Sequence, residues 1–141
     1  VEGFEPALGL LERFFREEGF TTPADAMAAS LRAMLTSPDH AVFLAWAGKE
    51  AVGVATVAAT VGIEYGRSAE MDDLYVLPQA RSGGVASALI EAACAWCSEQ
   101  GCTVMLVTVT PEGEVQHNLT DFYRRRGFAY TGRVLLEREL L

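Results

Sequence analysis

Apolar positions along the chain change their period several times, and each change marks an element. Between residues 5 and 18, Leu8, Leu11 and Phe15 share one helical face, while Glu12, Arg13 and Glu17 fall mostly elsewhere; Gly19 ends the helix. Thr22-Pro23-Ala24-Asp25 reads as a second start, with Thr22 as N-cap and Pro23 at the first position. Met27, Leu31, Met34 and Leu35 give that helix its buried side, until Ser37-Pro38 stops it. The pattern then becomes continuous. Residues 41–46 and 51–61 are apolar runs joined by Ala47-Gly48-Lys49-Glu50, which predicts a hairpin. Small residues crowd the second run (Gly53, Ala55, Ala58, Ala59), so something packs closely over it. After a loop over residues 62–67, a third strand spans about 69–77.

Pro78 breaks that strand, and Arg81-Ser82-Gly83-Gly84 leads into a helix on which Val85, Ala88, Leu89, Ala92 and Trp96 share a face. A strand, a small-residue loop and a helix N-terminus together make an anion site. The amides over residues 82–86 lack partners, and the helix dipole adds positive character. The site has neither the Lys-Ser/Thr of a P-loop nor the G-x-G-x-x-G of a dinucleotide fold. Beyond Gly101, residues 103–109 read as a strand and Thr110-Pro111-Glu112-Gly113 as a loop. Asn118 is an N-cap with Asp121 at N3, and its helix runs to Arg126 before Gly127. Residues 128–131 and 133–140 are expected to close the sheet as an antiparallel pair.

Composition narrows the function classes. A chain of 141 residues, half of them hydrophobic, is read as one domain, residues 1–141, with a core of its own. No run of about 18 apolar residues suggests a membrane span, and the N-terminus shows no basic-then-apolar leader. The three cysteines do not form a disulfide framework, which points to a reducing, cytoplasmic setting. Cys94-x-x-Cys97 has no second pair to complete a metal site, so no metal is expected. The net charge is −8 with a single lysine, which argues against nucleic acid. Such acidity either serves solubility or steers a cation inward.

Two segments carry a family resemblance. Arg81-Ser82-Gly83-Gly84-Val85-Ala86 resembles the R/Q-x-x-G-x-G/A loop of the GNAT superfamily of acyl-CoA-dependent N-acyltransferases, as do the flanking LYVLP and SALIEAA. Phe122-Tyr123-Arg124-Arg125-Arg126-Gly127-Phe128 is similar to that family's late Y-x-x-x-G-F segment. The resemblance covers roughly residues 8 to 141. It implies an α/β fold: a mixed, mainly antiparallel sheet flanked by helices, with central strands splayed to form a CoA cleft. It implies acetyl-CoA as co-substrate, held by the segment Leu74, Tyr75 and Val76 and by the loop residues Arg81, Ser82, Gly83, Gly84, Val85 and Ala86. The main chain of Leu74 and Val76 would pair with the pantetheine arm, and the Leu74 N–H would polarise the thioester carbonyl. The short strand that the family places before the first helix is missing here or cut down to residues 1–4.

The same resemblance implies that Tyr123 protonates the departing thiolate and that Asp72, in Met71-Asp72-Asp73, is the base. Asp72 and Asp73 are expected on opposite faces of a regular strand. An ammonium near pKa 10 is far from a carboxylate near 4, so Asp72 needs a raised pKa or a water relay. Glu64 and Glu70 are the competing carboxylates, as base or as binders of the acceptor's positive charge. His40, His117 and the Arg124–Arg126 run stay secondary, the last as complements to a helix dipole. The leading function is N-acetylation of a primary amine on a small cationic acceptor, an aminoglycoside or polyamine. Acetylation of a protein or peptide amine, a catalytically silent CoA-binding module and a purely structural domain are the alternatives. The weak N-terminal strand leaves an edge on which a homodimer could pair.

Overall fold

The computed structural model describes residues 2–141. Two compact units follow one another along the chain, one ending at Val107 and the other beginning at Thr108.

The first unit opens with α1 (Phe4–Glu18) and α2 (Ala24–Leu35). Gly3 is the N-cap of α1 and no strand precedes it among the described residues; Val1, part of the expected first strand, lies outside them. The cap of α2 differs from the expected one. Pro23, extended at φ −63° and ψ 147°, is itself the N-cap, and Thr22 makes no capping bond. Ala7, Leu10 and Leu11 of α1 meet Leu31 of α2, with Leu8, Met27 and Leu35 packed around them.

Three strands then form an antiparallel meander: β1 (His40–Ala47), β2 (Glu50–Gly62) and β3 (Gly66–Val76). The β2–β3 connection is tighter than the sequence suggested, because pairing continues out to Gly62 opposite Gly66. After α3 (Val85–Glu99), the short β4 (Met105–Leu106) lies parallel to β3. The result is a mixed sheet in the order β1-β2-β3-β4, flanked by helices. The expected strand over 103–109 shrinks to those two residues, since only Ala69–Met105 and Glu70–Leu106 pair.

Register sorts the sheet's side chains into rows, because residues directly opposite one another share a face. One face carries Leu44, Val54 and Tyr75, then Val42, Thr56 and Asp73, then His40, Ala58 and Glu70. Val54 and Tyr75 belong to the core that α1 and α2 complete, so this is the face under those helices. The other face carries Ala45, Gly53 and Val76, then Phe43, Ala55 and Leu74. Here α3 packs close. A Cβ on Gly53 would stand 3.0 Å from both Leu89 Cδ1 and Val85 Cγ1. The buried stripe of α3 is Leu89, Ile90, Ala93 and Cys97, while Ala88 and Ala92 of the expected stripe face solvent.

The second unit holds α4 (Pro111–His117) and α5 (Leu119–Arg124). The segment expected as a loop at 110–113 is instead the start of α4, with the Thr110 hydroxyl accepting from the Gly113 N–H at 3.0 Å. Asn118 takes φ +50° and makes no side-chain cap. The stop at Gly127 stands: with φ +94° it donates to Arg124 O, and Phe128 donates to Tyr123 O, closing a Schellman turn. The final antiparallel pair does not form. Residues 128–141 carry no strand, and Val134, Leu135 and Leu136 are exposed. A two-stranded ribbon is marginal without a sheet to join.

Candidate active site

The chemistry of the first unit gathers along β3. Thr56 pairs with Asp73 and Val57 with Met71, so Asp72 is the extra residue of a β-bulge. A bulge breaks the pleat's alternation and re-aims a side chain. The opposite-face expectation for Asp72 and Asp73 assumed a regular strand, which β3 is not at this point. Asp73 is anchored: the buried Thr56 hydroxyl donates to its Oδ2 at 2.5 Å. Loss of water pushes the Asp73 carboxyl up, and the Thr56 bond opposes that shift.

Asp72 makes the sharper case. Desolvation, then the charges of Glu70 and Asp73, push its pKa up to about 6, against a smaller opposing effect of His40. Its side chain keeps a surface open to water, where screening trims such effects. Glu70 thus belongs with Asp72 and Asp73 in one carboxylate group. Glu64 does not. It sits in the turn beyond the Gly62–Gly66 pair, roughly 20 Å along the strand from Asp72 at ~3.3 Å per residue.

The outer edge of β3 is open next to this group. Its ladder with β4 ends at Glu70. Leu77 N–H donates inward to Val52 O at 2.8 Å, so by alternation the main-chain groups of Leu74 and Val76 turn outward. A ligand with amides in an extended arm can pair there as a strand would. The Val76 carbonyl already has one partner, Arg81 Nε at 2.9 Å. Tyr75, by contrast, points its ring into the α1 side, stacked on Phe14 with centroids 5.3 Å apart.

Past the Pro78–Ala80 turn, the loop has the shape an anion needs. Ser82 and Gly84 both take left-handed φ, +69° and +82°. The N–H groups of Ser82, Gly83 and Gly84 meet no backbone acceptor among the described residues. Those of Val85 and Ala86 open α3 without intrahelical partners. Successive amides turned this way form a concave nest at a helix N-terminus. The space in front of Gly84 is clear, with nothing within 4 Å of where a Cβ would stand. These residues therefore fit a pyrophosphate. Arg81 is poised at the loop's edge but faces back, toward Val76 O and Glu17.

Glu17 is the residue that sequence reasoning passed over. One carboxylate oxygen accepts from the Tyr75 hydroxyl and the other lies 3.5 Å from Arg81 Nη2. A signal existed: an acid in a helix's last turn opposes the dipole and calls for a partner elsewhere.

In the second unit, Tyr123 is 9% exposed, its ring edge-on to Phe122 and Phe128 at 5.1 and 5.3 Å. Burial pushes its phenol up to about 12, against the opposing charge of Arg126. The gap to a thiol near 8.5 is therefore wider than an ordinary phenol would give. Cys97 packs its sulfur 3.8 Å from Met105 Sδ, and burial raises its thiol to about 11, which keeps it unreactive.

Comparison with known proteins supplies the frame for this geometry. Residues 6–128 match the acetyltransferase (GNAT) family. The aminoglycoside N(6')-acetyltransferase type 1 of Salmonella typhimurium (strain LT2) is 29% identical over 123 residues, 83% of this chain and 81% of that protein. An integron cassette protein from the mobile metagenome of Cole Harbour Salt Marsh superposes with a TM-score of 0.86 at 29% identity, over 99% of this chain and 86% of its own. The aminoglycoside N-acetyltransferase AAC(6')-Iy, in complex with CoA, gives 0.84 at 27% identity, covering 98% and 89%.

Proposed function

The chain belongs to the acetyltransferase (GNAT) family and is an acetyl-CoA-dependent N-acetyltransferase; on that premise we propose that its acceptor is a primary amine on a small polycationic molecule of the aminoglycoside type. The observation that carries this acceptor class is the group formed by Glu70, Asp72 and Asp73 at the β3 bulge. Closely set carboxylates repel one another and are relieved by a multivalent cation. Two of the similar proteins, both named for aminoglycoside acetylation, support the same class.

Acetyl-CoA supplies an activated thioester. The residues 82–86 receive its pyrophosphate, and the outward main chain of Leu74 and Val76 receives its extended arm. The Leu74 N–H stabilises negative charge on the acyl oxygen. Asp72 takes the proton from the acceptor nitrogen, directly or through water. Its pKa of about 6 narrows the gap to an amine near 10 from about six units to about four. Tyr123 keeps its proton throughout the working pH range and gives it up late, as the departing sulfur carries nearly full charge. The family match runs across both units, which supports reading them as one catalytic domain. Its three free cysteines suit a reducing, cytoplasmic setting.

The deciding experiment is a CoA-release assay over aminoglycosides, polyamines, amino acids and peptides. Turnover concentrated on aminoglycosides, with a KM that rises with salt, is the expected result. Turnover confined to peptide amines would replace the acceptor class, and CoA binding without any turnover would make the protein a binding module.

A further inference from the structure

Glu17, Tyr75 and Arg81 join three parts of the first unit that function separates. Glu17 stands in the last turn of α1. Tyr75 is on β3, one register position from Asp73 on the same face. Arg81 begins the anion loop. The Glu17 carboxylate divides itself between the other two: Oε2 accepts from the Tyr75 hydroxyl and Oε1 faces Arg81 Nη2 at 3.5 Å. The guanidinium also lies 5.7 Å from the Tyr75 ring centroid and donates through Nε to Val76 O. Phe14 stacks on the far part of this arrangement, so the Tyr75 ring has a fixed seat.

These contacts differ in strength. The Nε bond to Val76 is short and well formed, whereas the Glu17 pair is long, with both side chains about two-fifths exposed (41% and 42%). A pair of that kind is weak and easily exchanged. A phosphate oxygen arriving at the neighbouring amides offers the same guanidinium a stronger, charge-assisted partner. Glu17 would then keep Tyr75 and lose one of the two cations that act on this pair, Arg81, with Arg13 remaining. The net charge on the α1 side of the sheet, where Asp73 and Glu70 also lie, becomes more negative.

We propose that Glu17 couples the two substrate sites: acetyl-CoA draws Arg81 away from Glu17, and the released carboxylate tightens binding of the cationic acceptor. The inference rests on the proposed function and adds a device to it. Coupling between ligands is reciprocal, so the acceptor favours coenzyme binding by the same factor. Glu17 is a positioning and charge-balancing residue, not a catalytic one, since it acts through Arg81.

The test is calorimetry with CoA and the aminoglycoside tobramycin, each titrated alone and against protein saturated with the other. In the unsubstituted protein CoA should tighten tobramycin binding by about five-fold or more, within the usual range for coupled sites. Glu17→Gln keeps the side chain's size and its acceptor for Tyr75 but removes the charge. It should reduce the factor to within about two-fold, while CoA alone binds equally or more tightly because Arg81 is no longer shared. Glu5→Gln, the same change of charge at the exposed start of α1, should leave the factor unaltered. Equal coupling in the Glu17 and Glu5 variants, or none in the unsubstituted protein, overturns the inference while leaving the enzyme reading intact. A fall in CoA affinity in Glu17→Gln with coupling retained would also overturn it, making Glu17 a support for the loop. Failure of the unsubstituted protein to bind CoA at all would instead overturn the proposed function itself.

Discussion

Thr56 and Asp73 stand directly opposite one another on β2 and β3, and the hydroxyl of the one is bonded to the carboxylate of the other. Their pairing fixes one side of the bulge, and Val57–Met71 fixes the other, so Asp72 has no freedom to slip into register. The candidate base is held in place by its neighbours' pairing.

Asp72→Asn should therefore lower kcat by ~10²–10⁴-fold, the range for a lost general base, with little change in fold. The pH profile gives a second readout. With its pKa near 6, Asp72 works only when deprotonated, so kcat/KM should rise through that region and the asparagine variant should lose the limb. Stability runs the other way. A carboxyl whose folded pKa lies above its unfolded value binds protons more tightly when folded, so it costs stability as pH climbs from about 4 to 6 and keeps that cost above. Thermal unfolding should show Asp72→Asn more stable than the parent at pH 7 and equal to it near pH 3. Equal melting temperatures at both pH values would contradict the raised pKa.

Gly84→Val should weaken CoA binding and cost the fold about 1–2 kcal/mol, because a β-branched residue resists φ +82°. The new side chain would also fill the clear space before the loop amides. Calorimetry that finds CoA affinity unchanged would remove the loop from the site.

Gly53→Ala tests the packing that aims α3. The added methyl would meet Val85 Cγ1 and Leu89 Cδ1 at 3.0 Å. Leu89 can swing aside, but the β-branched Val85 cannot, so the helix start has to move by a few tenths of an ångström. The expected cost is about 1 kcal/mol in stability, together with weaker CoA binding, since Val85 carries one of the loop's amides. A destabilised variant with unaltered CoA affinity would show that the loop holds its shape without the helix seat.

Tyr123→Phe keeps the ring between Phe122 and Phe128 and removes only the hydroxyl. Stopped-flow and steady-state rates should fall by ~10²–10⁴-fold in kcat and kcat/KM alike. A raised KM with normal kcat would give Tyr123 a binding role only.

What the sequence made legible was local. Helical spacing located α1, α2 and α3 to within a residue or two, and small residues in 51–61 announced the close packing seen at Gly53. Glycine and proline placed the loop at 81–84 and the stop at Gly127. Pairing between distant segments was harder. Nothing in Met71-Asp72-Asp73 distinguishes a bulge from a regular strand, because the difference lies in which residues of β2 sit opposite. The Glu17–Tyr75 bond spans 58 positions of sequence and has no local trace beyond an acid at an unfavourable helix end. The α3 stripe was misjudged because alanines fit either face, and Ile90 and Cys97 outweighed Ala88 and Ala92. Residues 128–141 alternate well enough to read as strands, yet a strand exists only when an edge accepts it.

The open edge of β3 has one more consequence, for association between molecules. A strand with unpaired main-chain groups is a template on which another chain can add. Natural sheets guard such edges with charges and with bulges that twist the strand away, and β3 carries both, at Asp72 and Asp73. Negative charge proposed to draw in a cationic acceptor would thus also repel a second copy of the same strand. Any substitution that neutralises this pair, however well it is tolerated by the fold, leaves the apoprotein with the bulge alone to guard this stretch of strand, and bound coenzyme then adds the second protection against aggregation.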